Sequence, residues 1–107
     1  MITIEHKKYN KIEELTVRGH AGYAPIGEDI ICSAVSSVVY TLKIALEKAD
    51  KNKKVLLLKC ELNEGEAIIT FEPLSAETQA VFKAVLDGLE VLSESYPDYI
   101  GFLPCGA

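Results

Sequence analysis

Basic residues are in short supply in this sequence: 11 lysines and arginines stand against 16 aspartates and glutamates, for a net charge of −5 and a pI near 5.0. Nucleic-acid binding draws its affinity from counterions released at a basic face. Direct nucleic-acid contact is therefore not expected, and a basic protein partner suits such a surface better. Cysteines are scarce and odd in number, at positions 32, 60 and 105, which argues against a disulfide framework and for reduced thiols in a reducing compartment. Neither Cys-x-x-Cys nor His-x-x-x-His occurs. Zinc would have to gather His20, Cys32 and Cys60 from three separate places, so no metal and no cofactor are expected.

Long apolar runs are missing too. The longest stretch free of charge, Ile30 to Leu42, falls short of the roughly 20 residues that a bilayer requires. In place of an apolar signal core, the first residues bring Glu5, His6, Lys7 and Lys8. The expectation is a cytoplasmic protein with no membrane contact. Phosphate-binding fingerprints are absent as well: Gly19, Gly22 and Gly27 precede a helix start, but in neither the dinucleotide nor the P-loop pattern, and Glu28 and Asp29 would repel phosphate.

What is present reads as one domain over residues 1–107, with 49% hydrophobic and 25% charged residues. Ile2 and Ile4, then Ile12, Leu15 and Val17, predict two short strands around a turn at Tyr9-Asn10-Lys11. Ala21 to Gly27 is punctuated as a loop. From Asp29 to about Ala49, Ile31, Val35, Val38, Leu42, Ala45 and Leu46 recur at the three-and-four spacing of an amphipathic helix. Val55–Leu62 and Ala67–Glu72 predict a second hairpin around Asn63 to Glu66, with Gly65 supplying the turn. Ser75 suits the cap of a second helix, whose apolar stripe is Val81, Phe82, Val85, Leu86, Leu89 and Leu92. That helix stops before Pro97, and Tyr99 to Leu103 adds an optional last strand. The order β-β-α-β-β-α(-β) predicts an α+β two-layer sandwich: a mainly antiparallel sheet with two helices.

One stretch carries chemistry, His20 to Cys32. A cysteine attacks as thiolate, and the first turn of a helix, with its unpaired N–H groups and positive dipole end, favours that anion. Cys32 falls in such a turn. A histidine can take the thiol proton and later protonate a leaving amine; His20 is the candidate, because His6 lies on the first strand. The backbone N–H groups of Ile31 and Cys32 are candidate oxyanion donors. Asp29 either orients His20 or caps the helix. Ser36 sits one turn below Cys32, Cys60 within a strand and Cys105 in the tail, and none of the three is assigned a part in the reaction. The plainer alternative is that the cysteine is a small core residue and the histidine a structural hydrogen-bonder.

Gly19-His20-Ala21, a short glycine-containing loop, Gly27-Glu28-Asp29-Ile30-Ile31-Cys32 and Ala34-Val35-Ser36 together resemble the ribosomal-processing cysteine protease family, Prp. The resemblance covers the whole chain. It implies a small α/β sandwich that forms homodimers, with Cys32 as nucleophile, His20 as general base and acid, and Asp29 in support. It also implies a substrate: the N-terminal extension of the twenty-seventh protein of the large ribosomal subunit, cut after an apolar, phenylalanine-containing segment. Relatives in phage-like elements process virion proteins instead. The loop Ala21 to Glu28 would then be a substrate-gated lid, hinged at Gly22, Pro25 and Gly27, with Tyr23 and Ile26 touching the peptide. The reading from a different class is a non-catalytic, ribosome-associated binding module in which His20 and Cys32 are structural.

Overall fold

The computed structural model describes residues 1–25 and 27–106. β1 (Ile2–Tyr9) and β2 (Ile12–Arg18) form an antiparallel hairpin in which Thr3 faces Arg18 and Tyr9 faces Ile12. Asn10 makes the turn at φ 57°, a region asparagine tolerates better than most residues. After the loop come α1 (Ile30–Lys51), a second antiparallel hairpin of β3 (Val55–Asn63) and β4 (Glu66–Pro73), then α2 (Ala76–Ser95) and β5 (Ile100–Leu103). The sheet order is β3-β4-β2-β1-β5, antiparallel except where β5 runs parallel to β1 with Ile2 opposite Ile100. The α+β class, the two helices and the optional last strand are all present as expected.

Alternation places Ile2 and Ile4 of β1, Leu15 and Val17 of β2, and Ile69 and Phe71 of β4 on the face that meets the helices. α1 contributes Ile31, Val35, Val39, Leu42 and Leu46 to this core, and α2 contributes Phe82, Val85 and Leu89. Two positions differ from the predicted stripes. Val39 is buried where Val38 is only half-buried, because neighbouring residues about 100° apart straddle the edge of the apolar face. Val81 is 38% exposed, while Thr78 is buried on α2 and its hydroxyl donates to the Lys54 carbonyl at 2.8 Å. By length and composition α1 matches a bilayer-crossing helix once a few charges are tolerated, yet its buried stripe packs on β3 and α2 as the main core helix.

This topology brings three distant pieces of chain to one end of the sheet: the end of β2, the start of α1 and the β3–β4 turn. Arg18 pairs with Glu66 across β2 and β4, and just beyond them the Gly19 N–H donates to the Gly65 carbonyl at 2.9 Å.

Candidate active site

Cys32 is the third residue of α1, and its thiol is half-buried. The Ala21 N–H donates to Cys32 Sγ at 3.3 Å, so the strand-to-loop junction lays a backbone dipole against the sulfur. A donor in that position stabilises negative charge on sulfur in the same way as the N–H groups of a helix start.

Asp29 is the N-cap residue, with extended backbone (φ −81°, ψ 100°) and only 6% exposure. Its Oδ1 accepts from the Ile31 N–H at 3.0 Å and the Cys32 N–H at 2.9 Å, and its Oδ2 accepts from the Tyr23 N–H at 3.1 Å. The Cys32 N–H foremost holds the Asp29 carboxyl below its ordinary 3.8; burial pushes the other way, and the Tyr23 and Ala24 N–H groups and the Cys32 thiol assist the lowering. Of the two roles open to Asp29, the geometry displays capping, together with an anchorage of the loop. The same hydrogen bonds correct the oxyanion expectation. Both candidate donors, Ile31 N–H and Cys32 N–H, are already taken by Asp29 Oδ1, because an aspartate at the N-cap competes for the very N–H groups that a hole would use.

His20 follows Gly19, which has φ 94° and lies so close to the Met1 carbonyl that a Cβ would overlap it. The imidazole is exposed and lies over Gly65 in the β3–β4 turn. Among the described residues no hydrogen bond joins it to Cys32 or Asp29 in this state. The other histidine is occupied: His6 meets Glu13 Oε1 at 2.8 Å and stands edge-on to Phe82.

His20, Asp29 and Cys32 all line one cavity of about 580 Å³, a size suited to a bound side chain or short peptide segment. Its apolar wall includes Val17, Val39, Leu62 and Ala67, and Glu64 and Glu66 stand at the β3–β4 turn. Gly22 and Gly27 also line it, and so does Ser36, one turn below Cys32. Tyr23 and Pro25 are not among its lining residues. The Tyr23 ring instead stands edge-on to Tyr99 at 5.4 Å, while its backbone is tied to Asp29; the Pro25 carbonyl accepts from Glu28 N–H in a turn at 3.0 Å. The expected contact of Ile26 with a peptide falls outside the described residues.

Cys60 lies on β3 opposite Ile69, where burial and the nearby Glu47 push its thiol up, against the smaller effect of Lys43. Cys105 is exposed in the tail. Two contributors escaped the sequence: the Ala21 N–H at the sulfur and the β3–β4 turn beneath His20. A backbone donor carries no residue signature, although the Gly19-His20-Ala21 motif marks its position. Nothing local in Asn63-Glu64-Gly65-Glu66 distinguishes it from an ordinary hairpin turn.

A sequence model of the cysteine protease Prp family matches residues 1–101. The ribosomal processing cysteine protease Prp of Mycoplasma pneumoniae is 31% identical over 108 aligned positions, covering 94% of this chain and 90% of the relative. Among solved structures, the ribosomal processing protease Prp from S. aureus, in complex with a covalently linked product peptide, superposes with a TM-score of 0.80 at 20% identity, covering 97% of this chain and 99% of that one. The protein SMU.848 from Streptococcus mutans superposes with a TM-score of 0.72 at 24% identity, covering 98% and 94%.

Proposed function

The chain belongs to the Prp family of ribosomal processing cysteine proteases, and from that premise we propose that it removes the N-terminal extension of a large-subunit ribosomal protein, the twenty-seventh, during ribosome assembly. The observation that carries this reading is the meeting of His20, Asp29 and Cys32 at one cavity with an apolar wall, which suits an apolar segment next to the scissile bond. The setting proposed for it is the cytoplasm, and the acting form a homodimer of single-domain chains.

In this mechanism His20 takes the proton of the Cys32 thiol, and the thiolate attacks the scissile carbonyl carbon to form a tetrahedral intermediate. His20, now carrying the proton, gives it to the leaving amine as the C–N bond breaks, and Cys32 is left as a thioester. Water then attacks the thioester carbonyl with His20 as base, releasing the carboxylate and restoring the thiol. The oxyanion needs a donor other than the two held by Asp29. The Ala21 N–H, already directed at the sulfur, is the group assigned to it here. Asp29 holds the start of α1 and the backbone of Tyr23, so it keeps thiol and loop in register. Closure of the loop Ala21 to Glu28 over a bound peptide excludes water from thiol and imidazole.

The experiment is incubation with the extended ribosomal protein and with a version lacking the extension, the products being mapped by intact mass. A single cut after an apolar, phenylalanine-containing segment of the extended protein supports the reading. Failure to cut it, with peptidase activity on other sequences, would assign the enzyme a different substrate.

A further inference from the structure

Gly65 closes the β3–β4 turn at φ 76°, which a turn glycine adopts freely. The turn alone does not account for its second property. A Cβ built on Gly65 would stand 2.9 Å from His20 Nε2 and 3.4 Å from its Cε1, closer than ordinary contact. The obstacle is the far end of an exposed side chain, so the clash itself is relieved when the imidazole swings aside, and the φ of 76° is a separate demand on the backbone. Gly19 is the opposite case, since its Cβ would meet the Met1 backbone, which has nowhere to go. The two glycines are tied by the hydrogen bond from Gly19 N–H to the Gly65 carbonyl at 2.9 Å, so the residue before His20 and the residue under its ring hold a fixed relation.

We infer that Gly65 is a positioning residue for His20: its bare Cα is the seat on which the imidazole rests, at the cavity it shares with Cys32. The inference rests on the reading of His20 as the general base and deepens it. An exposed histidine explores several rotamers, and proton transfer requires one of them. The bare Cα of Gly65 leaves one such position open to the ring, and a Cβ there would close it.

The test is Gly65→Asn. Asparagine accepts a left-handed backbone, so the variant keeps the turn while adding the Cβ. It should melt with the parent and show a KM within about twofold, while kcat falls about tenfold to a hundredfold, the usual cost of a misplaced general base. In a His20→Ala background the added Gly65→Asn should lower the residual rate no further. A folded Gly65→Asn enzyme with parental kcat overturns the inference, as does a loss of equal size with and without His20. Should Gly65→Asn fail to fold, the double variant decides: folding restored by His20→Ala identifies the ring as the obstacle and supports the inference, and continued failure overturns it. A His20→Ala enzyme with the parental rate would bring down the general-base reading and this one together. Loss in His20→Ala beside a parental Gly65→Asn brings down this one alone.

Discussion

The Cys32 N–H donates to Asp29 Oδ1 at 2.9 Å, so the carboxylate that caps α1 also grips the residue that carries the thiol. Through Oδ2 the same carboxylate grips the loop at Tyr23. Removing it should therefore disturb stability and chemistry together, which an ordinary cap would not.

Ser75 supplies the comparison, because its hydroxyl caps α2 through the Thr78 N–H at 3.1 Å, on an element that brings no residue to the cavity. Ser75→Ala should cost about 1 kcal/mol of stability and leave the kcat of the folded enzyme unchanged. Asp29→Ala should lower the melting temperature by about 4–8 °C and also reduce kcat, with Asp29→Asn intermediate because the amide oxygen still accepts from the helix start. Thermal melts and steady-state rates on the three variants check this.

Acid should act through Asp29 as well. Its carboxyl is held below the ordinary 3.8 in the folded protein, chiefly by the Cys32 N–H. The unfolded chain therefore binds the proton first as the pH falls. The stabilisation is complete above the ordinary value and is lost as the pH drops through the lowered one. Urea unfolding below about pH 4 should show a shallower loss of stability in Asp29→Asn than in the parent, the two curves converging at the acid end.

Tyr23 rests edge-on against Tyr99 at 5.4 Å, which anchors the loop to the segment before β5. Such aromatic pairs contribute about 0.5–1.5 kcal/mol beyond buried area. Tyr99→Leu should loosen the loop more than the fold, seen as faster amide exchange over Gly22 to Ala24 and an altered KM.

The other thiols should be dispensable. Burial and Glu47 disfavour the anion of Cys60, and Cys105 lies in the tail. Cys60→Ala with Cys105→Ala should keep kcat/KM within about twofold of the parent, and in that background a single alkylation should abolish activity.

The hairpins, the helices and their caps were readable because alternation, three-and-four spacing and N-cap residues are local signals, and both Asp29 and Ser75 cap where the pattern places them. The three residues that the motif singles out, His20, Asp29 and Cys32, line one cavity. What escaped was competition and distance. The spacing that makes Asp29 a cap also makes it a rival for the N–H groups of Ile31 and Cys32, and only coordinates show that it wins them. Tyr23 reads as a peptide contact in a lid, and no local signal announces that its ring also meets Tyr99, far along the chain. Gly65 reads as turn chemistry until the sheet order sets it beneath His20.

Every step of the proposed reaction passes through Cys32. Cleavage of the extended ribosomal protein should be compared between the parent and a folded Cys32→Ala variant, with intact mass used to look for a peptide thioester on the parent. Cys32→Ala should lose at least about ten-thousandfold in rate, and the acylated species should form in the parent alone. A Cys32→Ala chain that cuts at the parental rate would contradict it.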